Sequence, residues 1–132
     1  MLVEFDALKV VRERTTFLDY VYGGCEIDFS VAIDFSVGNG EPSVPETLHT
    51  NTNEDLQGNK YLQAIKSAVT IMQYYNTTKR IASYGFGGRV LPKHDPSQCF
   101  SLTGDIFSPE VNGINGLIEA YRVAIDQVTF AD

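Results

Sequence analysis

Residues 2–12, "LVEFDALKVVR", alternate loosely between apolar and polar positions, and this period of two predicts a strand. "TFLDYVYGG" follows, and its closing glycines, Gly23 and Gly24, mark a turn. In "CEIDFSVAIDF", Ile27, Phe29, Val31 and Ile33 alternate against Glu26, Asp28 and Ser30, and the segment then turns apolar on both sides at Val31, Ala32 and Ile33. That pattern predicts a strand entering the middle of a sheet and covered on both faces. A long polar segment, "SVGNGEPSVPETLHTNTNEDLQGNK", comes next; loops of this length are uncommon and often functional. Beyond it Leu62, Ile65, Val69 and Met72 fall at helical spacing, with Ala64 and Ala68 beside them, predicting a helix over about residues 59–76. "RIASYGFGG" reads as a strand closing on glycines, "VLPKHDP" as a turn, "QCFSLT" as a short strand and "GDIFSPEVNG" as a loop. "INGLIEAYRVAIDQV" predicts a second helix with the stripe Ile114, Leu117, Ile118, Tyr121 and Ile125. Strand, helix, strand, strand, helix is the order of an α/β fold.

Composition narrows the function. The chain has 132 residues, enough for one domain or a large piece of one, with 43% hydrophobic and 20% charged residues. No apolar run approaches the roughly 18 residues that span a bilayer, and no secretory signal pattern opens the sequence. Ten Lys and Arg against seventeen Asp and Glu leave a net charge of -7. This argues against nucleic-acid binding, which needs a basic face, and against unaided adhesion to anionic lipid. Cys25 and Cys99 lie far apart and outside any CxxC spacing, so two reduced thiols are expected rather than a zinc site. Asn76-Thr77-Thr78 fits the glycosylation sequon, read here as a chance occurrence.

Chemistry concentrates at the end of the apolar strand. Ligands of open α/β sheets bind beyond the carboxyl ends of the strands, which is where Asp34 and Ser36 stand. A carboxylate and a hydroxyl two residues apart are hard oxygen donors suited to Mg²⁺ or Ca²⁺. The same residues also suit a purely structural turn in which Asp34 accepts backbone N–H groups. "GFGG" lacks the Lys-Ser/Thr of a phosphate loop, and Ser36 is outside a G-x-S-x-G elbow, which counts against a hydrolase. His49 and His94 both fall in loops; either could serve as a base or a ligand, but a lone loop histidine is expected to be solvated. Tyr74, Tyr75 and the aromatics of "FLDYVY" are expected to pack in or beside the core.

"FLDYVYGGCEIDFSVAIDFSVGNGEPSVPETLH", "RIASYGFGG", "CFSLTG" and "VNGINGLIEAYRVAI" together resemble the von Willebrand factor A-like domain of copines. The resemblance runs from Thr16 onward, so residues 16–132 are expected to be the amino-terminal half of that domain, and residues 1–15 the end of a preceding C2 domain or a linker strand. It implies a partial doubly wound fold with strand order 3-2-1-4-5-6, the strand ending at Asp34 being number one. It also implies a divalent-cation site of the D-x-S-x-S type. Asp34 matches the acid and Ser36 the first hydroxyl, Gly38 stands in place of the second, and Asn39 and Gly40 match the Asn-Gly that follows. The later Gly-Pro-Thr loop and the strand ending in an Asp have no counterpart here.

The function expected from this resemblance is non-enzymatic: a protein-interaction module of a copine-like, Ca²⁺-dependent phospholipid-binding protein, cytoplasmic and peripherally membrane-associated through C2 domains. Mg²⁺ or Ca²⁺ is expected in a complete site, and weak or absent affinity in this chain. An alternative is the A-like domain of a relative of RING-type ubiquitin ligases. With only three strands, the strand ending at Asp34 becomes an edge, which predicts a homodimer, a domain swap, or pairing with the amino-terminal strand.

Overall fold

A computed structural model describes residues 13–52 and 58–131. The strand expected over 2–12, and with it most of the expected 1–15 unit, lies outside the described residues.

Thr16 starts the first element. Its hydroxyl accepts the Asp19 N–H while the Asp19 carboxylate accepts the Thr16 N–H at 2.7 Å, a capping box that opens helix α1 (Phe17–Tyr22). No residue of α1 is buried, and Phe17, Tyr20 and Tyr22 are 57%, 57% and 84% exposed. The expectation that these aromatics pack into the core is therefore corrected, as it is for Tyr74 at 82%. The short helix meets the rest of the domain through an edge-to-face contact of Phe17 with Tyr75, which leaves its other side in solvent.

Strand β1 (Ser30–Asp34) is shorter than the eleven-residue pattern that announced it. A single 3₁₀ turn (Val37–Asn39) follows, and the next described element is helix α2 (Lys60–Met72). Asn59 caps α2, its side-chain oxygen accepting the Leu62 N–H at 2.8 Å. The helix buries Leu62, Ile65 and Val69 as their spacing predicts, and ends four residues before Asn76. Strand β2 (Arg80–Phe86) returns parallel to β1, in register from Ser30–Ala82 to Asp34–Phe86. A two-residue strand β3 (Gly88–Arg89) precedes β4 (Phe100–Ser101), which lies antiparallel to β2. Within the expected 104–113 loop, Glu110–Asn112 forms β5, also antiparallel to β2. Helix α3 (Gly113–Gln127) buries Leu117, Tyr121, Ala124 and Ile125, and β6 (Thr129–Phe130) pairs with β3.

The sheet order β4-β2-β1 reproduces the 3-2-1 part of the expected doubly wound order. One core joins Ile33 and Phe35 of the β1 end, Ile81 of β2, Leu62, Ile65 and Val69 of α2, and Leu117, Tyr121 and Ile125 of α3. Along β2, Ile81, Ser83 and Gly85 are buried, whereas Ala82 and Tyr84 on the opposite face are only half-buried. Along β1, Ile33 is buried and Ala32 exposed. Coverage of β1 on both faces is thus corrected: the helices bury one face, and the small Ala32 tolerates solvent on the other. Among the described residues β1 has β2 as its only full-length neighbour, with one parallel bridge from Ser36 to Ala131 beyond its end.

Candidate functional site

Asp34 is the last residue of β1, and the chain turns immediately after it. Asp34 Oδ1 accepts the Ser36 N–H at 2.9 Å, an Asx-type turn that redirects the backbone out of the sheet. The Asn39 side-chain amide donates to Ser36 Oγ at 3.2 Å and to the Asp34 carbonyl at 3.4 Å. The 3₁₀ turn is closed by the Gly40 N–H on Val37 O, and Val37 N–H reaches Ala131 O at 3.0 Å. Burial pushes the Asp34 pKa up, but hydrogen bonds from the Ser36 N–H, the Ser36 hydroxyl and the Asn39 amide together outweigh it, with help from His49. The carboxyl ends below the usual carboxylate range and is ionised at neutral pH. Gly87, at φ 76°, closes the turn from the β2 side, where a β-carbon would stand 3.0 Å from both Asp34 Oδ1 and the Ser36 nitrogen.

Behind this turn lies a buried polar chain that no local pattern announced. His49 is 0% exposed, which corrects the expectation of a solvated loop histidine; His94 is exposed as expected. The His49 ring is stacked between Phe35 (centroids 5.3 Å apart) and Tyr61 (4.0 Å), and meets Phe130 edge-on at 4.9 Å. Its Nε2 lies 2.7 Å from the Asp34 carbonyl oxygen, and its Nδ1 lies 2.9 Å from the Tyr121 hydroxyl. A carbonyl can only accept, so Nε2 carries the proton. Burial lowers the His49 pKa below its ordinary value, outweighing the bond to Asp34 and the attraction of its charge. In the neutral ring Nδ1 is an acceptor, so the single Tyr121 hydroxyl proton faces two acceptors, His49 Nδ1 and Asn59 Oδ1. Asn59 Oδ1, 3.1 Å from the same hydroxyl, already accepts the Leu62 N–H. Asn59 Nδ2 donates to Thr50 O at 3.1 Å, which fixes the amide's orientation. Burial raises the Tyr121 pKa well above the usual phenol value and keeps the hydroxyl protonated.

The expected site residues Asp34, Ser36, Asn39 and Gly40 therefore share one turn. Gly38 lies in the same turn with nothing within 4 Å of where its β-carbon would be. At Gly40 a β-carbon would meet Thr47 Cγ2 at 2.5 Å, so this glycine lets the loop close on Thr47. The donor chemistry fits the start of a hard-cation site: an ionised carboxylate and a hydroxyl at one strand end, with open space at Gly38. Among the described residues no group of three His, Cys, Asp or Glu side chains stands ready to hold a metal ion. Cys25 and Cys99 are both exposed free thiols. His49, Asn59, Tyr121 and Gly87 are the residues of this region that sequence reasoning missed. Asn59 alone carried a legible signal, as a capping residue just before an apolar helical stripe.

A mixed α/β sheet with its polar turn beyond the carboxyl end of β1 is compatible with the von Willebrand A-like class of fold. The family model described as Copine matches residues 47–132, more than half of the chain. The protein belongs to the copine family.

Proposed function

We propose that the chain acts as a protein-interaction module of a copine-like protein, with the Asp34 turn as the opening part of a divalent-cation-dependent docking site and no catalytic role. The observation that carries this reading is the ionised Asp34 carboxylate and the Ser36 hydroxyl held in one turn at the end of β1. Among the described residues the turn offers two side-chain oxygens, fewer than the six or so ligands that Mg²⁺ or Ca²⁺ gathers, so weak affinity is expected. When bound, the cation supplies a Lewis-acidic point of attachment for an oxygen of a partner protein. The protein's own groups hold Asp34 charged and keep the turn shaped for it. Ser36 Oγ faces the Asn39 amide and the Asp34 carboxylate, while His49 faces the Asp34 carbonyl rather than the hydroxyl. Ca²⁺-dependent phospholipid contact we assign to C2 domains of such a protein, since the net charge of -7 here suits neither anionic lipid nor nucleic acid. A cytoplasmic, peripherally membrane-associated location goes with that assignment.

Titration calorimetry with Mg²⁺ and Ca²⁺ tests the reading. Binding of about millimolar strength is expected for the wild-type chain, with loss in Asp34→Ala. Gly38→Ser, which adds a hydroxyl where space is open, is expected to tighten it. Cation binding that Asp34→Ala leaves unchanged would overturn the assignment.

A further inference from the structure

We propose that His49 is the positioning residue of the Asp34 turn, holding the last carbonyl of β1 on the side away from β2. In a strand, successive main-chain groups point to opposite edges. The Phe35 N–H points to β2, where it reaches Phe86 O at 2.7 Å, so the Asp34 carbonyl faces the other edge. No strand partner for that carbonyl exists among the described residues, and the His49 Nε2–H supplies the bond at 2.7 Å instead. Imidazole suits this place because it is flat and apolar on both faces yet polar at two opposite corners. The faces fill the slot between Phe35 and Tyr61, one corner holds Asp34, and the other meets Tyr121. A side chain selected for packing alone would not engage both nitrogens. Leucine would fill much of the volume and leave the carbonyl with only the 3.4 Å contact from Asn39. Glutamine could reach Asp34 but not span to Tyr121.

The relay has a mechanical meaning. Tyr121 sits in α3 and its hydroxyl lies 3.1 Å from Asn59 Oδ1, the cap of α2. The main chain at Asp34 is therefore tied through a single ring to α3, by the Tyr121 hydroxyl, and to α2, by Tyr61 stacked on the imidazole at 4.0 Å. A shift of either helix moves the last residue of β1, and with it the carboxylate that the turn presents. As a statement about cation docking, this rests on the function proposed above; as a statement about the geometry of the turn, it stands apart from it.

The test uses the full chain without added cation first. Long-range ¹H–¹⁵N spectra of the wild-type imidazole are expected to show the neutral Nε2–H tautomer. In His49→Leu and in Tyr121→Phe the Ser36 amide, held on Asp34 Oδ1, is expected to exchange about tenfold faster, the size of one lost buried hydrogen bond. His49→Gln, whose amide can reach the carbonyl, is expected to restore most of the protection. Amides in the middle of β2 serve as the control for general loosening. Should His49→Leu fail to fold, Tyr121→Phe, which removes one oxygen and keeps the ring, carries the test alone. Ser36 exchange unchanged in the folded variants, or accelerated only in step with β2, overturns the positioning role. Mg²⁺ titration of the same samples separates the two readings. A wild-type response insensitive to Asp34→Ala sinks the cation site and leaves the exchange result to decide His49.

Discussion

Substituting Gly87 by alanine gives a measure of how tightly the Asp34 turn is held, because the chain contains its own control. Gly87 and Gly104 have nearly the same φ, 76° and 82°, a region in which an L side chain costs about 1–2 kcal/mol. Alanine also restricts the unfolded chain, which offsets about 0.4–1 kcal/mol of that cost. At Gly104 a β-carbon would find nothing within 4 Å, so Gly104→Ala should destabilise by the conformational difference alone, about 1 kcal/mol. At Gly87 the same atom would stand 3.0 Å from Asp34 Oδ1, 3.0 Å from the Ser36 nitrogen and 3.2 Å from Ser36 Cβ. The first two atoms are the partners of one hydrogen bond, so neither can retreat without stretching it. Overpacking of this kind adds about 1–3 kcal/mol, and Gly87→Ala is expected to cost about 2–4 kcal/mol in all. Urea unfolding followed by circular dichroism measures both, provided the slopes match that of wild type. Equal losses for the two variants would refute the claim that Gly87 presses on the turn. A neutral Gly104→Ala would remove the conformational premise itself.

Three further outcomes are expected. The Asp19 pKa is held low by the Thr16 N–H and then by the Thr16 hydroxyl, so the folded value lies below the unfolded one; its contribution to α1 is full above the ordinary carboxylate pKa and disappears as pH falls through the folded value. Amide shifts of Thr16 and Asp19 followed against pH should show this, and a response identical in Asp19→Asn would contradict it. Asn76 is 2% exposed, with its amide nitrogen donating to Asp28 and to the Arg80 carbonyl and its oxygen accepting from Thr78; folded protein treated with oligosaccharyltransferase should keep its mass, and a glycan on folded chain would count against this burial. The edge of β1 that has no strand neighbour among the described residues we expect to pair with a second copy, seen as concentration-dependent sedimentation with slow exchange at Ala32; a monomer at high concentration with a fast-exchanging Ala32 amide would exclude it.

How much of this was legible in the sequence depended on the range of the interactions. Leu62, Ile65 and Val69, and likewise Leu117, Tyr121 and Ile125, announce their helices because helical periodicity is local and each stripe covers one core. The Asp34 turn was visible for the same reason, since its donors and acceptors lie within five residues of one another. The β5 strand was missed because three residues are too few to show alternation. Helix α1 is not legible although Thr16 and Asp19 spell its capping box, because its 6 residues bury no apolar stripe. The exposure of Tyr22 and Tyr74 shows that aromatic character does not by itself fix burial when the element carrying it is short or ends a helix. His49 was misread for a different reason. Its partners are Asp34, fifteen residues before it, and Tyr121, seventy-two residues after it, and nothing in a polar loop encodes either.

That separation of seventy-two residues also sets a timetable. Chains are synthesised at about 5–20 residues per second, so roughly 4–14 s pass between the emergence of His49 and that of Tyr121. Over that interval β1 and the Asp34 turn already exist as sequence, and Phe35 and Tyr61 are available to stack on the imidazole, but the ring has no partner at Nδ1. Ala131, which receives the Val37 N–H, arrives later still. The turn that comes early in the chain is thus completed only after α3 and Ala131 have been made.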